Sequence, residues 1–210
     1  MRLGEQQNAA GKATFSEDVL KLEVSGPDQE HFSVVDVPGI FRKTTEGVTT
    51  KTDMRMVETM VRGYMENPRS VMLTVIPSNV DIATQDILTM AEDVDGDGYR
   101  TLGVLTKPDL VDDETPVMEL IEGKRHKLNL GWCMVRNPSQ KQLNDPNNNR
   151  YAIEEDFFRT VAPWNSLPKD RVGVKALRIR LQDILGNHIR REFPKVCAKS
   201  ITLHLQLILP

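Results

Sequence analysis

Three short polar motifs each follow an apolar run in this 210-residue sequence. They are Asp36-Val37-Pro38-Gly39, Thr106-Lys107-Pro108-Asp109 and Asn137-Pro138-Ser139-Gln140. Carboxylates, amides and a glycine at the ends of buried strands are groups with which an α/β protein holds a metal ion, a phosphate or a heterocyclic base. The residue types therefore predict the binding of a charged ligand that contains a base.

The first motif matches the pattern Asp-x-x-Gly. The Asp36 carboxylate is predicted to bind Mg²⁺, usually through a water, because this ion keeps part of its hydration shell. Gly39 has no Cβ, so its backbone can approach a terminal phosphate and donate its N–H. Asp and Gly also occur together in ordinary turns after buried strands, and that alternative stays open for the motif taken alone.

The second motif suits a guanine base. The Asp109 carboxylate can accept two hydrogen bonds, from N1–H and from the exocyclic amine, and adenine offers no matching pair on that edge. The stem of Lys107 can lie over the base plane while its ammonium stays in solvent. The alternative is an ordinary strand-to-turn sequence in which Pro108 sets φ.

The third motif, residues 137–140, offers polar side chains and backbone donors for the far side of a base pocket, although alone it is typical of a turn. Along the chain the motifs follow the order phosphate, base, base, each after a separate apolar run. That order favours one nucleotide-binding site over three unrelated turns.

Apolar runs and helical patterns alternate along the chain, which predicts an α/β fold with a mostly parallel, doubly wound sheet. A half-exposed strand is predicted at 19–24, and a polar, mobile loop at 42–53. Buried strands are predicted at 32–37, covered on both faces, and at 71–76, and further strands at 101–105 and 132–135. Helices are predicted at 54–66, 82–91, 116–128, 151–162 and 174–191.

Composition narrows the class of protein. The chain is 39% hydrophobic with a net charge of −3, so there is no electrostatic case for binding nucleic acid. Its two cysteines are far apart and outside metal-ligand spacing, which indicates a reducing compartment. No apolar run approaches the roughly 20 residues of a membrane span. A cytoplasmic protein is predicted.

The sequence resembles the GTPase domain of the dynamin superfamily, nearest to its fungal dynamin-like and Mx-like members. Besides the three motifs, the resemblance rests on residues 15–20, 22–27 and 101–112, and on Pro77-Ser78-Asn79-Val80-Asp81-Ile82-Ala83-Thr84. The Pro-Ser-Asn-x-Asp-Ile-Ala pattern is distinctive for this family rather than for GTPases at large. The resemblance spans residues 14–198.

The resemblance implies a P-loop-NTPase-like sheet flanked by helices, with GTP and Mg²⁺ as ligands. It would place Asp36 beside Mg²⁺ and Gly39 at the γ-phosphate, and it assigns no catalytic side chain. Family members often have arginine where this chain has Pro138, which lacks a backbone donor. The residues implied in holding the base are Thr106, Lys107, Asp109, Asn137, Ser139 and Gln140, with Asp112 near the ribose.

One part of such a site is not found in these 210 residues: a Gly-x-x-x-x-Gly-Lys-Ser/Thr loop, which holds the α- and β-phosphates. Gly11-Lys12 fails the pattern, because Gln6 stands where the first glycine belongs and Ala13 replaces the Ser/Thr. By resemblance we expect a GTPase domain that is incomplete at its N-terminus, with a gap in the sheet. Such a chain is expected to hydrolyse GTP negligibly and to bind it weakly.

The expected organisation is a disordered lead at 1–14, a partial GTPase domain at 15–168, a helix at 169–200 leading toward a stalk, and an atypical apolar tail at 201–210. The implied function is that of a self-assembling GTPase in membrane remodelling or organelle dynamics, cytoplasmic and peripheral to membranes. Contacts with a membrane or the cytoskeleton would involve parts absent from these residues. The alternative is a catalytically inactive module that associates with longer dynamin-like partners.

Overall fold

The computed structural model describes residues 15–16, 18–23, 26–27, 33–41, 43–46, 48–82, 85–144 and 149–208. The chain divides into two compact units, Met1–Ser70 and Val71–Pro210. The disordered lead expected at 1–14 lies outside the described residues.

The first unit contains helix α1, Lys51–Met65. It begins where it does because Thr50 and Asp53 form a capping box. The Asp53 N–H donates to Thr50 Oγ1 at 3.2 Å, and the Thr50 N–H donates to Asp53 Oδ2 at 2.8 Å. The prediction of a loop at 42–53 is therefore wrong at its C-terminal boundary, since residues 51–53 already belong to the helix. Val57 and Val61, one turn apart, are buried.

The two strands predicted in the first unit do not form over the residues that the structure describes; Val24 and Phe32 lie outside them. Residues 18–23 and 33–41 have no regular secondary structure, and Val34 and Val35 are 77% and 54% exposed. A strand needs a neighbour to satisfy its backbone N–H and C=O groups, and the described residues before 50 contain no second strand. The prediction was wrong because an apolar run does not by itself provide a pairing partner.

The second unit is built on a parallel three-stranded sheet in the order β1 (Met72–Pro77), β2 (Thr101–Thr106) and β3 (Trp132–Met134). The predicted α/β class with a parallel sheet flanked by helices is confirmed. Pro77 pairs with Thr106, and Leu105 pairs with Met134. The carboxyl ends of the strands therefore lie along one edge of the sheet.

Four helices of this unit match predicted helices and differ from them at their ends, whereas the short helix Gln140–Leu143 was not predicted. They are α2 (Asp86–Val94), α3 (Thr115–Ile121), α4 (Gln140–Leu143), α5 (Arg150–Thr160) and α6 (Val174–Ile208). Helix α3 ends early, before Gly123 with its φ of +74°. Helix α6 continues well beyond the predicted end at 191, through Pro194. No helix in the described part of the chain is both long and apolar enough to cross a membrane.

Two apolar layers enclose the central strand β2, all six of whose residues are buried. On one face Leu105 packs with Ile76 and Met134, in a cluster that includes residues of α3 and α5. On the other face Val104 and Cys133 pack against α6. Burial raises the pKa of the Cys133 thiol. The continuous apolar run of β2 follows from this two-sided burial.

The close approach of β2 to β3 gives a stability prediction. A Cβ added at Gly103 would lie 2.1 Å from Trp132 Cε3, and Trp132 is 1% exposed and cannot swing away. We expect Gly103→Ala to lower the free energy of unfolding by about 1–3 kcal/mol through overpacking. Urea denaturation followed by circular dichroism measures the change.

Gly186→Ala is the matched control. A Cβ at Gly186, inside α6, would meet no atom within 4 Å. Because alanine favours a helix over glycine, this change should leave stability equal or raise it by up to about 1 kcal/mol. Equal stability of the two alanine variants would contradict the packing of Gly103 against Trp132.

Candidate functional site

The second and third sequence motifs begin side by side. The Val135 N–H, just after β3, donates to Leu105 O in β2 at 2.8 Å. Residues 106–112 and 136–140 therefore leave the sheet from neighbouring strand ends. This is the edge at which open parallel sheets bind ligands.

The chain turns sharply after β2. Lys107 has φ 55° and ψ 47°, a left-handed conformation that residues with a Cβ adopt rarely. Pro108 is buried and begins a 3₁₀ turn, Pro108–Leu110, in which the Leu110 N–H donates to Lys107 O at 3.1 Å. The turn leaves the side chain of Asp109 partly exposed. An unfavourable backbone conformation next to an exposed carboxylate is typical of ligand sites.

Arg136 reaches across from β3 to this carboxylate. Its Nε lies 3.8 Å from Asp109 Oδ1, and its guanidinium carbon lies 5.0 Å from the centroid of the Phe157 ring in α5. The sequence analysis did not select Arg136. The available signal was its position, directly after a buried strand and directly before Asn137.

The third motif forms the start of helix α4. Ser139 caps α4: its N–H donates to Gln142 Oε1 at 3.0 Å, and its Oγ accepts from the Gln142 N–H at 3.4 Å. Gln140 Nε2 donates to Asn144 Oδ1 at 3.2 Å. The backbone donor of Ser139 is thus used by the cap, while the side chain of Asn137 is exposed.

A buried carboxylate fixes the start of the third motif. Glu154 in α5 is 5% exposed; its Oε1 accepts from the Arg136 N–H at 2.9 Å and its Oε2 from the Val174 N–H at 2.9 Å. One side chain therefore ties the residue before Asn137 to the first residue of α6. Sequence analysis missed Glu154, since nothing in its local pattern shows that it is buried.

Asp112 lies in the wall of a cleft of about 380 Å³. Ser78 also lines it; this serine is 5% exposed, and its Oγ has no hydrogen-bond partner in the described structure. Neither Asp109 nor Asn137 lines the cleft. Asp112 therefore lines a cleft that does not include Asp109 or Asn137. The other lining residues are Asn79, Val80, Asp81, Ile82, Leu110, Val111, Asp113, Pro116, Val117, Leu120, Arg125 and His126.

Asp36 and Gly39 belong to the first unit. Asp36 is exposed in an irregular segment, and a Cβ at Gly39 would meet no atom within 4 Å. Among the described residues there is no group of three His, Cys, Asp or Glu side chains that could hold a metal ion. The residues present thus form no ready-made Mg²⁺ site, and an ion at Asp36 would depend on water and phosphate ligands.

Comparison with known protein families identifies the family of this chain. Residues 2–108 match the model of the dynamin family. The chain belongs to the dynamin family. Residues 116–208 match a second model, the dynamin central region. The resemblance found from the sequence motifs is confirmed over both units.

Similar proteins include interferon-induced GTP-binding proteins Mx of fishes. The chain is 32% identical to the Mx protein of Epinephelus coioides over 201 residues, which cover 93% of this chain and 32% of that protein. It is 33% identical to the Mx protein of Dicentrarchus labrax over 197 residues, or 91% of this chain and 30% of that one. It is 34% identical to the Mx protein of Perca fluviatilis over 180 residues, which cover 83% of this chain and 60% of that protein. The chain thus spans about a third of the length of the first two relatives.

The bridging role of Glu154 can be tested by Glu154→Gln. The amide keeps the shape, but its NH₂ group would face one of the two backbone donors, so we expect the free energy of unfolding to fall by about 1–3 kcal/mol. Chemical denaturation measures the change.

Glu155→Gln is the control on the same helix. Glu155 is exposed and pairs with Lys175 at 3.5 Å, so its replacement should change stability by less than about 0.5 kcal/mol. A Glu154→Gln variant that unfolds at the same urea concentration as Glu155→Gln would show that the buried carboxylate is not a significant link.

Proposed function

We propose that this dynamin-family chain binds the guanine base of GTP or GDP at the carboxyl ends of β2 and β3. The observation that carries the proposal is the placement of Asp109 and residues 136–140 at neighbouring strand ends, with a strained Lys107 between β2 and Asp109. Two Mx relatives that are 32% and 33% identical to the chain are described as GTP-binding.

In this proposal Asp109 accepts hydrogen bonds from guanine N1–H and from the exocyclic amine. The Lys107 stem covers one face of the base, and Thr106 fixes the start of the turn through its hydrogen bond to Ile76 O at 3.4 Å. Asn137 and Gln140 supply side-chain amides on the far side, Ser139 holds α4 in place, and Asp112 approaches the ribose.

For the first unit taken by itself, we propose that Asp36 is a Mg²⁺ ligand and that the Gly39 N–H donates to a phosphate. Bound Mg²⁺ would neutralise phosphate charge, which is its usual contribution in such enzymes. These 210 residues contain no Gly-x-x-x-x-Gly-Lys-Ser/Thr loop. We therefore propose that the family's GTP hydrolysis is negligible for this stretch of chain alone.

The proposed cellular role is that of a dynamin-like GTPase in membrane remodelling or organelle dynamics, cytoplasmic and peripheral to membranes. Residues 15–168 would form the partial GTPase domain and 169–200 the link toward a self-assembling stalk. The continuous helix α6, Val174–Ile208, and the match of 116–208 to the dynamin central region support this link. The helix also includes most of the tail at 201–210.

Asp109→Asn tests the base contact. Asparagine presents one donor and one acceptor in place of two acceptors, so it no longer matches guanine but does match xanthine, which has a carbonyl at C2. We expect the affinity for GDP to fall about ten- to a hundredfold and that for xanthosine diphosphate to rise. NMR chemical-shift titration of the 210-residue chain measures both affinities, including weak ones.

Asp97→Asn serves as the control, because Asp97 is exposed and lies in the turn before β2. It should leave both affinities unchanged. If wild-type chain binds ADP as well as GDP, or if Asp109→Asn alters neither affinity, the base site is not where we place it.

A second candidate function is a catalytically inactive module that associates with longer dynamin-family partners. The match of residues 116–208 to the dynamin central region favours it, since this match includes the whole of helix α6 and most of the second unit. Co-expression with a complete relative decides between the two. Co-purification together with slower GTP hydrolysis by the partner would support the module, and an unchanged partner rate would argue against it.

A further inference from the structure

We infer that Arg136 is a positioning residue for Asp109 and so contributes to the choice of guanine over other bases. The inference rests on the proposed function, and it adds a residue that none of the three sequence motifs contains. Arg136 precedes Asn137 and points toward the turn that follows β2, where its Nε lies 3.8 Å from Asp109 Oδ1.

The Arg136 backbone is held from one side. Its N–H donates to the buried Glu154 Oε1 at 2.9 Å, and Glu154 Oε2 is bound at the same time by the Val174 N–H. Because the other carboxylate oxygen is anchored, Glu154 has little freedom to follow a moving backbone. The position from which the Arg136 side chain starts is thus fixed.

Helix α5, which contains Glu154, also holds the Arg136 side chain. Phe157, three residues after Glu154 in α5, presents its ring 5.0 Å from the guanidinium carbon, a distance at which a cation is attracted to an aromatic face. The side chain is only 13% exposed. Backbone and guanidinium are therefore both set by α5, and the charge is presented to Asp109 in one orientation.

The separation of the charges matters for recognition. A distance of 3.8 Å between Nε and Oδ1 is within ion-pair range but longer than a hydrogen bond. The Nε–H is buried and has no hydrogen-bond partner among the described residues. Arg136 thus attracts and orients the carboxylate without occupying its lone pairs. Both oxygens of Asp109 stay available to the two donors of guanine.

This arrangement predicts a difference between guanine and hypoxanthine. Guanine offers N1–H and the exocyclic amine, whereas hypoxanthine offers N1–H alone, so only guanine needs the carboxylate in one exact orientation. If Arg136 sets that orientation, its removal should cost more affinity for GDP than for inosine diphosphate. A residue that only stabilises the fold would affect the two nucleotides equally.

The first experiment needs no nucleotide. In the NMR spectrum of the full chain, Asp109→Asn should shift the Nε–Hε signal of Arg136. Asp156→Asn is the control, since Asp156 pairs with Arg159 on the same helix and should shift the Arg159 signal instead. An Arg136 signal that does not respond to Asp109→Asn overturns the inference, whether or not the chain binds nucleotide.

The second experiment measures specificity by NMR titration with GDP and inosine diphosphate. Arg136→Gln should lower GDP affinity about tenfold and inosine diphosphate affinity about threefold or less. The larger loss for GDP corresponds to weakening of the charge-assisted hydrogen bond from the exocyclic amine of guanine to Asp109. Arg136→Lys should recover part of the preference, and Arg159→Gln should leave it unchanged. Equal losses for both nucleotides overturn the inference. Absence of GDP binding by the wild-type chain would instead contradict the proposed function, and the first experiment would still decide the role of Arg136.

Discussion

The parallel pairing of β2 with β3 is the constraint on which the candidate site depends. Gly103 allows the Trp132 ring to lie against β2, and the ladder continues to the hydrogen bond from Val135 N–H to Leu105 O. Because parallel strands end at the same edge, this pairing brings Asp109 and Arg136 within ion-pair distance. The sequence of either loop alone does not determine this distance.

Glu154 extends that constraint beyond the sheet. Its two oxygens connect the segment after β3 to the start of α6, and its helix also carries the ring that faces Arg136. A movement of α6 would therefore change the support of the residue that faces Asp109. The carboxylate is costly to bury, and the two backbone donors compensate by satisfying both of its oxygens.

Much of the second unit could be predicted from sequence, because its strands are continuous apolar runs that are buried on both faces. The same reasoning failed at 19–24 and 32–37, whose described residues are not paired with another strand. The motifs around Asp109 and Asn137 were found because their residue types suit a guanine base. Arg136 and Glu154 were not, since their importance arises only when α5, some twenty residues later, folds against β3.

We propose that the ends of β2 and β3 form a guanine site centred on Asp109. A crystal structure of the chain with GDP tests it most directly. We expect guanine N1 and the exocyclic amine to lie about 2.7–3.1 Å from the two Asp109 oxygens, with the Lys107 stem over the ring. A base bound elsewhere, for example in the cleft beside Ser78, with Asp109 facing solvent, would contradict it.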